Sequence, residues 1–414
     1  MKSPGVRWAL TLVRYGLLAV AVVFLYNAVS WNDYVELADG SEVRLLEERA
    51  GGGLLVLRDG VEQEVTLNEA STLEVDGERV AKIRYGVAGI VKSADWRKGL
   101  IAILIFLPVP FLSAVRLIWM LGIQDVRLSL WNSIKLTFAG NFFNFALPGT
   151  TGGDLIKAYY VTRFTHHKTE AVTTIFLDRV IGLLGLMFLA TVMLVVGWDQ
   201  IAWNPTSYRD GLAAMLAGIW GALIIASFMV FSQRLRHSIR LPALAARLPA
   251  SAQLLRIGRA TVAMRYHKSL LVGSILITIV LQLFVLFAAY VMSLALGMQG
   301  AFALYFVCVP IGFLIAAVPI SPPQGFGVME FVYVMFFTQG GLNPKSAALA
   351  FALANRLTQL VWAVFGALVP LLGAHLPTRA ELADLEDTST NDLADANPTT
   401  SKPTVPAAND SPRA

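Results

Sequence analysis

Asn141-Phe-Phe-Asn-Phe-Ala-Leu-Pro-Gly-Thr-Thr-Gly-Gly-Asp-Leu-Ile-Lys157 lies among apolar runs of membrane-crossing length, yet its residues do not write a plain membrane helix. Two asparagines open it, Pro148-Gly149 breaks it, Gly152-Gly153 breaks it again, and Asp154 and Lys157 follow one turn apart. Hydrocarbon offers backbone groups no water, so irregular chain at that depth survives only inside protein or beside a wet cavity. The chain is therefore expected to fold around this break. A second break, Val318-Pro-Ile-Ser-Pro-Pro-Gln-Gly-Phe-Gly-Val-Met-Glu330, has the same character.

The surrounding composition supports that setting. Of 414 residues, 56% are hydrophobic and only 15% are charged, whereas a soluble domain carries roughly a quarter charged residues. Mean hydropathy is +0.61. Apolar runs near 15–29, 99–120, 171–198, 211–231, 269–297 and 346–372 approach the ~20 residues that cross a bilayer. The expected fold class is an all-α polytopic membrane protein with about six spanning helices and two broken re-entrant hairpins. The net charge of +5 resides in loops, which suits membrane orientation and gives no nucleic-acid face. A single cysteine, Cys308, excludes disulfides and cysteine-based metal sites.

Four regions are expected along the chain: an N-terminal membrane helix (1–31), a β-rich extracytoplasmic insertion (32–98), a transmembrane domain (99–373) and a disordered cytoplasmic tail (374–414). Lys2, Arg7 and Arg14 before the run Tyr15–Val29 read as an uncleaved membrane helix, with a secretory signal peptide as the alternative. The insertion alternates short apolar runs with Asp59-Gly60 and Asp76-Gly77, both hairpin-turn signals. From Asp33 to Lys98 it holds 14 acidic and 9 basic residues, which places it outside.

Ser232–Lys268 holds eight basic residues and no acidic ones. It reads either as a basic helix on the membrane surface or as an ordinary positive-inside loop, and both put it in the cytoplasm. That loop decides how to read the opening stretch. Were Trp131–Leu147 a full crossing, the basic loop carrying Lys157, Arg163, His166, His167 and Lys168 would face outward, and so would 232–268. If 131–156 dips in and returns, both fall inside. Charge parity favours the re-entrant hairpin, with Pro148-Gly149 at its tip.

The two breaks are followed by matching segments. Lys168 precedes Asp178-Arg179, and Lys345 precedes Asn355-Arg356, with eleven steps from lysine to arginine in each case. Each half thus reads span, broken hairpin, loop, span with an Asx-Arg pair, and the two enter the membrane from opposite sides. That is the pattern of an inverted repeat, whose site lies at the repeat interface.

Charges within apolar spans are functional candidates by default. They are Asp178, Arg179, Arg356, Glu330 and Asp154, with the alternative that Asp178 and Arg179 belong to ion pairs holding helices together. Arg116 reads as a snorkelling anchor. Gly149, Gly152 and Gly153 permit close backbone approach, as do Gly325 and Gly327 in the second break. Asp154 reads as the cap of the helix that follows, and that helix start beside Lys157 and Arg163 suits a phosphate. Asn141 and Asn144 share a helical face that lines a polar cavity or bonds a neighbouring helix. His166 and His167 read as loop residues. No Walker loop, HExxH, nucleophile elbow or dinucleotide fingerprint occurs.

Together NFFNFALPGTTGGDLIKAYYVTR (141–163), the Asp-Arg pair at 178–179, PISPPQGFGVME (319–330) and the Asn-Arg pair at 355–356 resemble the flippase-like membrane region of lysylphosphatidylglycerol synthases and its stand-alone relatives. The resemblance runs from about 95 to 373. It implies a multi-pass protein of the cytoplasmic membrane that moves or handles phospholipids or lipid-linked molecules between leaflets. It implies no cofactor, and it does not extend to aminoacyl transfer. On this reading Arg179, Arg356, Lys157 and the helix start at Asp154 contact a headgroup, while Glu330 and Asp178 orient those cations. The expected partner is a membrane lipid or lipid-linked substrate. Two alternatives stand beside it: a membrane-bound transferase or its accessory subunit, and a scaffold whose insertion binds a protein outside.

Overall fold

The computed structural model describes residues 29–371 except 50–52, 59, 76–77, 125, 147–151, 164, 166–167, 202–206, 232–267, 318–321 and 323–324, together with isolated positions between 16 and 27. Gly149 with its hairpin tip, His166, His167, nearly all of the basic loop, the tail and most of the first apolar run lie outside the described residues.

The insertion contains a small β sheet, as its alternating apolar runs anticipate. Strands β1 (Tyr34–Glu36), β2 (Glu42–Glu48), β3 (Leu54–Arg58), β4 (Val61–Val65) and β7 (Ile83–Arg84) form an antiparallel sheet ordered β4-β3-β2-β1-β7, and β5 (Thr72–Val75) pairs with β6 (Glu78–Ala81). Between β3 and β4, Gly60 adopts φ +82°, a conformation that costs glycine nothing. Alternation drives one face inward: Val35, Val43, Leu45, Leu54, Val56 and Val65 make a small core with Leu37 and Ala70. The strands end at Arg84, and the chain turns helical at α1 (Val87–Ser93).

The other described elements are helical. In order come α2 (Trp96–Phe106), α3 (Pro108–Gly122), α4 (Leu130–Ala146), α5 (Gly152–Thr162), α6 (Lys168–Val196), α7 (Ser207–Phe231), α8 (Lys268–Ala295), α9 (Phe302–Ala316), α10 (Val328–Phe337) and α11 (Lys345–Ala363), the last extended by a 3-10 turn, Val364–Ala367. Among the described residues four segments are long and apolar enough to cross a membrane: Trp96–Gly122, Ala171–Val196, Ser269–Ala295 and Lys345–Ala367. The expected span 99–120 is two helices joined at Leu107-Pro108, where proline, which supplies no N–H, takes the first position of the second helix. The expected span 211–231 is occupied by the helix α7. Shorter apolar helices α9 and α10 flank the second break as α4 and α5 flank the first. The helices α6 and α11 begin at the two lysines that align the halves.

Glycine sets how closely these helices meet. A Cβ on Gly153 would run into the Gly140 carbonyl of α4 and stand 2.7 Å from the Asn144 Oδ1, so the start of α5 lies directly on the α4 backbone. The second break repeats this device: Gly325, at φ +66°, presses on Ala316 of α9, and the Tyr333 ring of α10 lies over Gly312. Packing between halves is reciprocal. The helix α6 packs on α9, while α11 and its 3-10 extension pack on α4, where Gly366 rests against the Phe138 carbonyl. Aromatic rings fill the core of the second half, with Tyr305 stacked on Phe337 at 4.8 Å and Phe351 edge-on to Phe337 at 5.2 Å.

Gly153→Val should lower the thermal unfolding midpoint of the detergent-purified protein, because an overpacked contact costs about 1–3 kcal/mol. Gly99→Ala in α2, where an added Cβ meets nothing within 4 Å, should leave the midpoint unchanged or raise it. Equal midpoints for the two variants would remove the close approach of α5 to α4 from this account.

Candidate functional site

Three buried or half-buried arginines each take a carboxylate from another helix. Arg116 of α3 grips Asp178 of α6 with both sides of its fork, Nε to Oδ1 at 2.6 Å and Nη2 to Oδ2 at 2.9 Å. Its Nη1 donates to Thr278 Oγ1 of α8 at 3.2 Å, and that hydroxyl in turn donates to the Ser274 carbonyl at 2.6 Å. Bidentate pairing is the strong form of this bond. Arg116 is therefore a buried bracket between α3, α6 and α8, 7% exposed, rather than the snorkelling anchor its position near a span end suggested. Nothing in that apolar run shows from sequence that its arginine faces inward, since Asp178 lies 62 residues away.

The other two pairs correspond between the halves. Arg179 Nη1 donates to Asp154 Oδ2 at 2.7 Å, joining α6 to the first turn of α5. Arg356 Nε donates to Glu330 Oε1 at 2.7 Å, joining α11 to the first turn of α10. The separations along the chain are 25 and 26 residues. Adjacent helix positions point apart, which is why Asp178 and Arg179 serve different partners. Asp178 does not orient Arg179.

The helix starts are satisfied differently. Among the described residues the Asp154 carboxylate accepts no backbone amide of α5. Instead Asn144 Oδ1 accepts the Gly153 N–H at 2.9 Å from across the break, which leaves the Asp154 carboxylate to Arg179. That amide is thus satisfied from within the chain. Glu330 performs both tasks alone: Oε2 accepts the Gly327 N–H at 2.7 Å, and Oε1 takes Arg356. Gly327 at φ +82° provides the left-handed turn this requires. Glu330 is 1% exposed, so its charge is tolerable only with that full set of partners.

Arg179 and Arg356 line one cavity of about 190 Å³. Its wall comes from Leu183 and Leu186 of α6, Phe313 and Ala316 of α9, Met329 of α10 and Gln359 of α11. The Arg356 guanidinium also lies 4.9 Å from the Phe326 ring centroid, a cation–π contact. Two cations with one amide at an apolar wall suit an anion attached to an apolar body.

Other sequence candidates sit apart from this cavity. The Lys157 side chain lies along Gly140 of α4. Arg163 is held at the end of α5 by Tyr159, through a 2.6 Å bond to its hydroxyl and stacking at 4.8 Å. Asn141 is half-buried on α4, and Gly152 is the first residue of α5. Asn355 is buried, and its Nδ2 meets no partner among the described residues. Gln359 escaped the reading, although its place one turn after Arg356 on an apolar helix is the signal that finds it.

Residues 86–366 match the family model described as the lysylphosphatidylglycerol synthase TM region. The chain belongs to that family. Membership ties it to lipid-related function at a membrane, and both breaks, all three arginine pairs and the cavity fall within the matched residues. The five strands of the main sheet precede the matched segment. No curated protein matches the chain.

Removing one partner of a buried ion pair leaves an uncompensated charge and costs roughly 3–5 kcal/mol. Arg116→Met should therefore lower the unfolding midpoint strongly, and adding Asp178→Leu should restore much of the loss. No recovery in the double variant would show that the pair does not act as a unit.

Proposed function

We propose that this protein translocates an anionic phospholipid or lipid-linked molecule between leaflets of the cytoplasmic membrane, without an ATPase of its own. The observation that carries the reading is the cavity lined by both Arg179 and Arg356. At about 190 Å³ it is smaller than the roughly 300–1,000 Å³ of drug-sized ligand pockets, so it suits a phosphate-bearing headgroup while the acyl chains stay in lipid. Each arginine already has a carboxylate partner. An entering phosphate competes with Asp154 and Glu330 for bidentate donors, and binding is thereby coupled to the contacts α5–α6 and α10–α11.

The pairs differ in accessibility. The Arg179 side chain is 27% exposed against 9% for Arg356, so in this conformation an anion meets Arg179 first. Exchange from Arg179 to Arg356 is then the step that carries the headgroup from one half to the other. The reciprocal packing of α6 on α9 and of α11 on α4 supports reading the halves as an inverted repeat, with 141–157 and 318–330 as paired re-entrant segments.

Proteoliposomes containing only this protein should move a fluorescent anionic phospholipid between leaflets. Arg179→Ala or Arg356→Ala should slow that movement at least about tenfold, the loss expected for one charge-assisted hydrogen bond. An immobile probe with the wild-type protein, or full activity in both variants, rules the mechanism out. Activity that requires an added donor substrate would assign a transferase instead.

Topology has a separate check. Cys308 is buried, so a cysteine introduced as His166→Cys is the one a polar maleimide reaches. It should react only after cells are permeabilised, and labelling from outside intact cells would exclude the re-entrant reading of the first break.

A further inference from the structure

The β domain does not meet the helices through its apolar face. That face is occupied by its own core of Val35, Val43, Leu45 and Val56. Turned toward the helix ends is a polar face on which Tyr34 stands opposite Arg84 and Glu36 opposite Glu42. Between this face and the helices lies a cleft of about 430 Å³. Its floor is Leu296-Gly297, just beyond the end of α8, and Asn343-Pro344, just before α11. The Asp95 N–H, at the start of α2, donates to the Ala295 carbonyl at 2.8 Å, so the cleft sits where apolar helices end.

Two features distinguish this cleft from loose packing. First, two glutamates directly opposite on neighbouring strands repel each other, an arrangement a purely structural sheet avoids. They are balanced by Lys82, whose Nζ lies 2.6 Å from Glu36 Oε2, and by Arg84, whose Nη1 lies 2.6 Å from Glu42 Oε1. Second, these pairs are about half exposed, where ion pairs contribute little, so either partner can be exchanged for a ligand at small cost. The seam is meanwhile held elsewhere, by the Ser346 hydroxyl of α11 donating to the Tyr85 carbonyl at 2.7 Å. Burial, and then its hydrogen bond to Glu48, push the Tyr85 phenol up to about 12, so it remains a neutral donor engaged with Glu48.

We propose that this cleft binds a zwitterionic phosphate-plus-amine headgroup, with the phosphate taken by Lys82 and Arg84 and the ammonium by Glu36 and Glu42. An anion alone would face two carboxylates, and an amine alone two cations. A ligand carrying both signs replaces both pairs without leaving a charge unmatched. The cleft and the arginine cavity share no lining residue, so this site stands whether or not the arginines move lipid.

Calorimetric titration of the detergent-purified full chain tests it with dihexanoyl phosphatidylethanolamine, dihexanoyl phosphatidylglycerol and glycerophosphoethanolamine. The ethanolamine lipid should bind at least about tenfold more tightly than the glycerol lipid, the difference one charge-assisted contact makes. Lys82→Ala with Arg84→Ala should weaken its binding by a similar factor, and Glu36→Gln with Glu42→Gln should erase the preference over phosphatidylglycerol. Ser93→Trp, which fills the cleft while leaving both ion pairs intact, should abolish binding even if a double variant fails to fold. Tight binding of glycerophosphoethanolamine assigns a soluble source, and binding only with acyl chains present assigns a lipid. Ethanolamine-lipid affinity untouched by Ser93→Trp, or equal affinity of both lipids in the part of the binding that Ser93→Trp removes, overturns the proposal.

Discussion

An arginine inside a low-dielectric bundle must meet an acid, and that constraint organises the helical part of this protein. Desolvating a guanidinium costs several kcal/mol unless a carboxylate and further hydrogen bonds replace its water. Arg116, Arg179 and Arg356 answer with Asp178, Asp154 and Glu330, each from a different helix. Because Asp178 and Arg179 are neighbours pointing apart, α6 is tied on one side to α3 and on another to α5. The helix α11 carries the corresponding tie to α10. Around these ties apolar packing is non-directional and would tolerate small rotations, whereas the bidentate Arg116–Asp178 contact does not.

The breaks exist to bring those acids into place. A continuous helix through 147–151 would carry Asp154 onward along the axis of α4. Breaking the chain and returning it lays α5 on α4 at Gly153, where any side chain would collide with the Gly140 carbonyl. Asn144 then satisfies the new helix start, and Asp154 is left for Arg179. The second break reaches the same end with one residue, since Glu330 accepts both the Gly327 amide and Arg356. One acid with two duties is the more tightly held, which accords with the deeper burial of the Arg356 pair.

Much of this was legible from residue order. Proline and glycine have local backbone consequences, so the places where helices stop and the approximate helix limits could be read directly. Charge rarity within apolar runs likewise singled out Asp154, Asp178, Arg179, Glu330 and Arg356. The partners of those charges were not legible. Arg116 lies 62 residues from Asp178, and its apolar neighbours carry no mark of the face it presents. Lys157 and Arg163 had the right charge and spacing for the cavity, yet each is engaged locally, by the α4 surface and by Tyr159. The polar side of the sheet was visible as alternation, but alternation does not say which face turns toward the helices.

By itself the sequence determined a helical membrane protein interrupted at two places, preceded by a small β domain and carrying few charges that could act at depth. Those properties follow from hydropathy, backbone chemistry and local periodicity, all of which operate within a few residues. Only the tertiary structure decided which acid meets which arginine, that Asn144 caps α5, and that Arg179 and Arg356 share one cavity. Those outcomes depend on helices remote in sequence coming within hydrogen-bonding distance, and the orientation of one helix face toward another is a property of packing that no short stretch of residues encodes.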